Sequence, residues 1–160
     1  MNNNEELIYK LYTSFQNKDF KAIQSCYHED ATFTDHAFPN LKGKEPSAMW
    51  NMLFGNNDHV EITFDSVQAD DYTGQARWIA KYPFSQTGRN VTNVIHASFE
   101  FKDGKIVKHE EDFDFNKWSR MAFGPIGFLI GWTPFFKKKI QKTADERLVK
   151  YIAKHSEYQN

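Results

Sequence analysis

The stretch 89-RNVTNVIHASFEFKDGKIVKHEEDFDF-115 decides the fold. Its two halves, 89-RNVTNVIHASFEF-101 and 105-KIVKHEEDFDF-115, are rich in strand-forming residues and meet at 102-KDGK-105. An Asp-Gly pair between two such runs is the turn chemistry of an antiparallel hairpin. Strands send successive side chains to opposite sides. In the second half, Val107, His109, Glu111, Phe113 and Phe115 therefore share one face, and Lys108, Glu110, Asp112 and Asp114 share the other. The first face mixes apolar anchors with two titratable groups and suits a pocket wall. The second is wholly charged and suits water.

Working upstream, 59-HVEITFDSVQA-69 and 73-TGQARWIAKYPFS-85 extend the pattern, joined through 70-DDYTG-74 and 86-QTGR-89. Short joints make four consecutive strands a meander. Before them the spacing is helical: Leu7, Ile8, Leu11, Tyr12 and Phe15 in 4–16, then Phe20, Ile23 and Tyr27 in 19–27. The run 31-ATFTDHAF-38 reads as a strand. In 43-GKEPSAMWNMLFG-55, Pro46 suits a first helical turn and Gly55 an end. Helices first and sheet afterwards predict an α+β domain with helices on one face of the sheet.

In the tail, Thr133 and Pro134 suit a helix start, and Phe136, Ile140, Ala144, Leu148 and Ile152 form an apolar stripe on a lysine-rich helix. Residues 117–155 are expected to add roughly two helical segments around 124-GPIGFLIGWTP-134. The favoured role for this extension is a contact surface. A lysine run at 137-KKK-139 beside Trp132, Phe135 and Phe136 reads first as the solvated side of a docked helix, and second as a docking surface for a membrane or protein partner.

Length and composition narrow the function. The 160 residues suit one domain, 1–160. Twenty Lys and Arg against 21 Asp and Glu leave a net charge of −1, so no global field favours nucleic acid. Fifteen Phe, seven Tyr and four Trp fill a core or line an apolar cavity. The lone Cys26 excludes an internal disulfide and, with the polar N-terminus MNNNEELIYKLY, leads to a cytoplasmic expectation. The apolar run 121–136 is too short, and too interrupted by Gly and Pro, for a membrane span. No serine or cysteine triad and no phosphate-cradling loop is present. His36, His109, Asp35 and Glu111 are acceptable metal ligands, but no short spacing groups them, so neither metal nor cofactor is expected.

The element order, with 19-DFKAIQSCYHEDATFTD-35, 43-GKE-45 and 101-FKDGKI-106, resembles the nuclear transport factor 2 superfamily and its SnoaL-like, ketosteroid-isomerase-like branch. The resemblance covers residues 5 to 116. It implies a cone: a curved antiparallel sheet wrapped around the N-terminal helices, enclosing an apolar pocket, with a C-terminal helical extension. Such proteins include isomerases, cyclases, epoxide and dehydratase enzymes, and members that only bind or pair as two-fold dimers, so fold alone leaves function open. Asp35 falls on the general-base position of ketosteroid isomerase. The partner acids do not carry over, because Leu11 stands where the helix tyrosine would be, with Tyr12 one residue off, and Ala97 stands near the second aspartate's place.

If Asp35 faces the pocket, Phe33 shares its face, and the matching faces elsewhere carry Trp78, Ala80, Tyr82 and Phe84, then Asn93, Ile95, Ala97 and Phe99, with His96 and Glu100 outside. Catalytic candidates are Asp35, His109 and Glu111. Ligand-lining candidates are Tyr12, Phe33, Trp50, Trp78, Tyr82, Asn93 and Phe113, of which Trp50 reads first as core. Burial is expected to raise the carboxylate pKa values and a nearby histidine to lower them, separating acid from base. The expected function is binding of a small apolar molecule, with proton transfer, isomerisation or cyclisation through these residues. The alternative is a non-catalytic binding or dimerisation module, in which His109 and Glu111 bond to each other or to buried backbone. A homodimer is the expected assembly, covering outer-face Ile79 and Val94.

Overall fold

The computed structural model describes residues 1–160. The chain runs α1 (Asn3–Asn17), α2 (Phe20–Cys26), β1 (Tyr27–Thr34), β2 (Leu41–Lys42), α3 (Glu45–Phe54), β3 (Glu61–Ala69), β4 (Thr73–Pro83), β5 (Asn90–Lys102), β6 (Lys105–Asp112), α4 (Phe115–Phe123), α5 (Pro125–Ile130) and α6 (Pro134–Ala153). A single 3-10 turn, Ser156–Tyr158, follows. Local chemistry sets the boundaries. Asn2 and Glu5 form a reciprocal capping box at the start of α1, and Asp19 caps α2 through the Ala22 N–H. Thr133 caps α6 as its residue type predicts, through the Phe136 N–H.

The sheet has six strands in the order β2-β1-β6-β5-β4-β3. The meander is present, and β3 to β6 pair antiparallel with their sequence neighbours. Its sharpest joint is the two-residue turn at Asp103 and Gly104, whose φ values of 52° and 72° match the twist of the flanking strands. One ladder departs from the antiparallel expectation. β1 lies parallel to β6, with Phe33 opposite His109 and Thr34 opposite Glu110, so the cone sheet is mixed.

The expected register holds in the meander. Trp78 faces Ile95 and Ala80 faces Asn93, all buried on the concave side, while His96 and Glu100 are exposed. Parity in β6 holds only from His109 to Glu111: a register shift opposite Glu100 and Phe101 turns Ile106 into the core and leaves Val107, expected on the inner face, half-buried. Asp114 accepts the Lys117 N–H and starts α4, so Phe115 becomes a helix residue and Phe113 lies in the link. A helix cap within an apparent alternation ended the strand early.

α1 fills the concavity with Ile8, Leu11, Tyr12 and Phe15, the heart of a core of 25 buried residues. Each such side chain contributes about 1.5–3 kcal/mol on burial. Tyr12 stacks on Phe64 at 5.2 Å, and Phe15 packs on Trp50 at 4.6 Å. The space expected to hold a ligand is occupied by these rings.

The extension does not lie across the outer face of the sheet, where Ile79 and Val94 remain half-buried. α4 and α6 instead cover the end of the cone where Tyr82, Phe84 and Val91 sit. There Phe115, Trp118, Ala122 and Phe136 form a second apolar cluster. The α6 stripe continues along α3 and delivers Leu148 into the main core.

The extension has three helices, and the short one, α5, is laid on α4 by close approach. A Cβ at Gly127 would stand 1.9 Å from the Ser119 carbonyl oxygen, and one at Gly131 would stand 2.6 Å from Ser119 Cβ. Only glycine fits that seam. The large side chains of α5 are left to face outward. No helix is long and apolar enough to cross a membrane.

Candidate active site

The site begins where β1 and β6 run side by side. Register places Asp35, just past Thr34, beside Glu111. Asp35 closes a tight turn in which its Oδ1 accepts the N–H groups of Ala37 (2.8 Å) and Phe38 (2.6 Å). Both bonds fall on Oδ1, leaving Oδ2 to face other partners. Part of the residue reaches solvent, yet its carboxylate is packed closely enough for desolvation to dominate. Burial, and then the charge of Glu111, push Asp35 up to about 7 against the pull of the two N–H groups.

Glu111 and His109 lie wholly within the core. The His109 ring stands 4.5 Å from Phe99 and edge-on to Phe33 at 5.0 Å. Desolvation drives its pKa down to about 3, so the imidazole is neutral. Desolvation also pushes Glu111 up to about 8, opposed by the Trp78 indole N–H, which donates to its Oε1 at 3.0 Å. The expected separation of acid and base by a nearby histidine is therefore corrected. The neutral His109 ring pulls neither acid down, His36 opposes the Asp35 shift only as its smallest cause, and both acids shift upward.

A buried polar chain threads these groups. Trp50 Nε1 donates to Tyr27 Oη at 2.9 Å, and Tyr27 Oη lies 2.8 Å from His109 Nδ1. Since Oη already accepts one proton and carries its own, the consistent assignment has Tyr27 donating to Nδ1 and His109 holding its proton on Nε2. Nε2 is 3.1 Å from Glu111 Oε1, yet the approach is too oblique for a hydrogen bond, and Nε2 remains without a partner. Tyr12 Oη, whose pKa is raised by burial and then by Glu111, is also buried and unpartnered. Buried polar atoms are rarely left unmet. Here one stands 3.1 Å from a Glu111 oxygen, and the other lies near enough to feel that group's charge.

Each lining candidate has a definite place. Phe33, Trp50 and Trp78 are buried core rings, with Trp78 also bonding Glu111. Asn93 is buried on the inner face of β5. Tyr82 accepts the Trp118 indole N–H at 2.9 Å and sits under the extension. Phe113 is displaced from the strand wall and meets His36 edge-on at 5.0 Å. The sequence reading missed Tyr27 and Trp118. Tyr27 closed a helical pattern, and continuing the alternation of 31-ATFTD-35 upstream would have put it on the Phe33 face. Trp118 had no partner visible in sequence.

The extension is tied to the Asp35 turn by His36. Its Nδ1 accepts from Lys137 Nζ at 2.7 Å, its Nε2 is 2.9 Å from Asp112 Oδ1, and its carbonyl accepts from Gln141. One depression of about 230 Å³ opens beside this tie, lined by Ala37, Phe38, Leu41 and Gln141. Another, about 420 Å³, lies by Tyr82, Val91 and Lys81. Neither includes His109 or Glu111. No group of three His, Cys, Asp or Glu side chains is placed to hold a metal ion. Cys26 is buried, with its thiol pushed up to about 11 mainly by desolvation, and is a poor nucleophile.

The sequence profile of the SnoaL-like domain matches residues 8–109, more than half of the chain. The chain belongs to the SnoaL-like domain family. No curated relative matches it. Among solved structures, this SnoaL-like domain resembles an LEH-like epoxide hydrolase of M. tuberculosis (TM-score 0.64, 16% identity, covering 80% of this chain and 96% of that one). It also resembles a protein with a ketosteroid isomerase-like fold from Catenulispora acidiphila, solved with trimethylamine (TM-score 0.65, 13% identity, 81% and 98% covered). A third neighbour is a proposed polyketide cyclase from Pseudomonas putida (TM-score 0.62, 18% identity, 76% and 98% covered). At such identities the likeness concerns the fold, and the SnoaL-like domain's chemistry rests on its own residues.

Proposed function

We propose that the cone interior is an acid–base site for a small, largely apolar molecule. The observation that carries this reading is the pair of unpartnered buried polar atoms, Tyr12 Oη and His109 Nε2, in the core around Glu111. Oxygen atoms on a ligand would satisfy them. With pKa values near 7 and 8, Asp35 is partly ionised and Glu111 mostly protonated at neutral pH. Asp35 Oδ2 then takes a proton from a carbon next to a carbonyl, while Glu111, His109 Nε2–H and Tyr12 donate to the oxygen as it gains charge. Return of the proton to another carbon gives an isomer; attack by the carbanion within the same molecule gives a ring. The apolar lining of Phe33, Trp78 and Phe99 selects a ligand with little charge. Entry requires the extension over Tyr82 to move and the rings that fill the interior around Tyr12 to part. The names of the epoxide hydrolase and cyclase neighbours agree with small-molecule chemistry in this fold.

A second reading, a non-catalytic binding or dimerisation module, is favoured by the filled interior and by the bonds that Trp78 and Tyr27 already make. In it, two copies meet through the outer face bearing Ile79 and Val94.

The test is native mass spectrometry of the purified protein for a retained small molecule, followed by deuterium wash-in from heavy water into that molecule or, if none is held, into a panel of small cyclic ketones. Asp35→Asn should abolish wash-in and spare binding. Wash-in unchanged in Asp35→Asn would sink the catalytic reading, and an empty, tightly associated dimer without wash-in supports the second.

A further inference from the structure

We propose that the C-terminal extension is a peripheral docking site for an anionic membrane surface. The proposal goes beyond the acid–base reading and does not depend on it.

The first observation is an inversion. In a helix packed on a soluble domain, apolar side chains face in and small or polar ones face out. In α5 the glycine faces in, because Gly127, like Gly131 just past the helix end, meets α4 at a distance that excludes a Cβ. Ile126, Phe128 and Leu129 face water, followed by Trp132, 69% exposed, and Phe135, 76% exposed. Burying them on α4 would lower the free energy of an isolated domain. An exposed apolar set of this size marks an interaction site.

The second observation is charge. Between residues 117 and 142 the chain carries six Lys or Arg and no Asp or Glu, although its total charge is −1. On α6, Phe135, Lys138, Lys139 and Lys142 recur at helical spacing and share one exposed face, so cations flank the apolar tip on the same side. Lys117 and Arg120 of α4 are exposed as well.

Together these choose the occupant. A second copy of this chain, joined by a two-fold axis, would set most of these cations against themselves, since only Lys142, at the end of the cationic face, has a carboxylate at hand in Glu146. An anionic bilayer meets both features at once. Trp, Phe and Leu settle at the boundary between headgroups and acyl chains, and the lysines attract anionic headgroups. With no helix able to span, the attachment is peripheral.

The experiment is co-sedimentation of the full chain with phosphatidylcholine vesicles, with and without phosphatidylserine, followed by tryptophan emission. Trp50, Trp78 and Trp118 are buried, so the change reports Trp132. Affinity should rise at least ~10-fold with phosphatidylserine and fall in high salt, with a blue shift on binding. Lys138→Glu with Lys139→Glu and Lys142→Glu should lose at least ~10-fold, and Leu129→Ser with Trp132→Ser should lose binding and blue shift together. All these sites are exposed, so circular dichroism should remain unchanged. Binding that ignores phosphatidylserine, or no binding to either vesicle, overturns the proposal. So does a concentration-dependent dimer by light scattering that shifts Trp132 emission without lipid.

Discussion

The cone interior and the C-terminal extension break the same rule in opposite directions. Inside, His109, Glu111, Tyr12 and Tyr27 sink polar atoms among aromatic rings, where burial moves both acids and the imidazole far from their ordinary pKa values. Outside, α5 turns its glycine inward and exposes apolar side chains. Folding alone rewards neither arrangement, since an apolar residue in place of Glu111 and a polar one in place of Phe128 would each sit more comfortably. The two inversions mark the two places where this domain gives up stability, and both candidate sites lie there.

The largest effect that tests this contrast is Trp50→Ala. It removes a ring packed on Phe15, Phe33 and Phe54 together with the donor to Tyr27 Oη. Urea unfolding should show a loss of about 3–5 kcal/mol. A loss under ~1 kcal/mol would mean that the interior is loosely filled and that the contrast is drawn wrongly.

Next comes pH. Asp35 and Glu111 have raised folded pKa values, so their protonated forms favour the folded state. That contribution is present in full below pH ~4 and is lost as pH rises through about 7 and 8. His109, lowered to about 3, acts oppositely: the unfolded state takes up its proton below pH ~6.5. Below pH ~4 the histidine dominates, and above it the two acids outweigh it, so stability should peak near pH ~4–5 and fall toward pH ~8.5. Glu111→Gln should flatten the alkaline fall and gain on the order of 3 kcal/mol over the native chain at pH ~8.5. Melting curves across pH check this. A native chain most stable at pH ~8 would place the carboxylates in contact with water.

The smallest effect sharpens the other side. Leu129→Ser should change folding stability by no more than about 0.5 kcal/mol, as for any exposed position. A loss of ~2 kcal/mol in urea would show that Leu129 is packed in solution and that α5 displays less than its exposure indicates.

Much of this was legible in the sequence. Parity through Glu111 and the Asp-Gly turn placed His109 and Glu111 on the inner face, and the meander's register set Asn93 and Ala97 inside with His96 outside. Alternation in a half-buried sheet carries that information directly. It failed at Val107, where a bulge turns Ile106 inward instead, and at Phe115, because Asp114 can start a helix as readily as continue a strand. It was silent on β2, whose two residues are too few for any period, and on the parallel β1–β6 ladder, because residues far apart in sequence leave no local trace of their pairing. Tyr27 was hidden for the same reason. The outward turn of α5 depends on the Ser119 backbone, which hydropathy alone does not reveal.

The parallel ladder also bears on the order of assembly. β3 to β6 pair through short turns and close locally, whereas β1 waits for the last strand in the sequence, Tyr27 meeting His109 across 82 positions. During synthesis the N-terminal third emerges with its apolar face uncovered and its proper neighbour not yet made. The polar chain and the carboxylate pair are then the last features to come together. In a refolding pulse, amide protection at Phe33 should trail that at Trp78, and until it arrives the molecule has a sheet but no site.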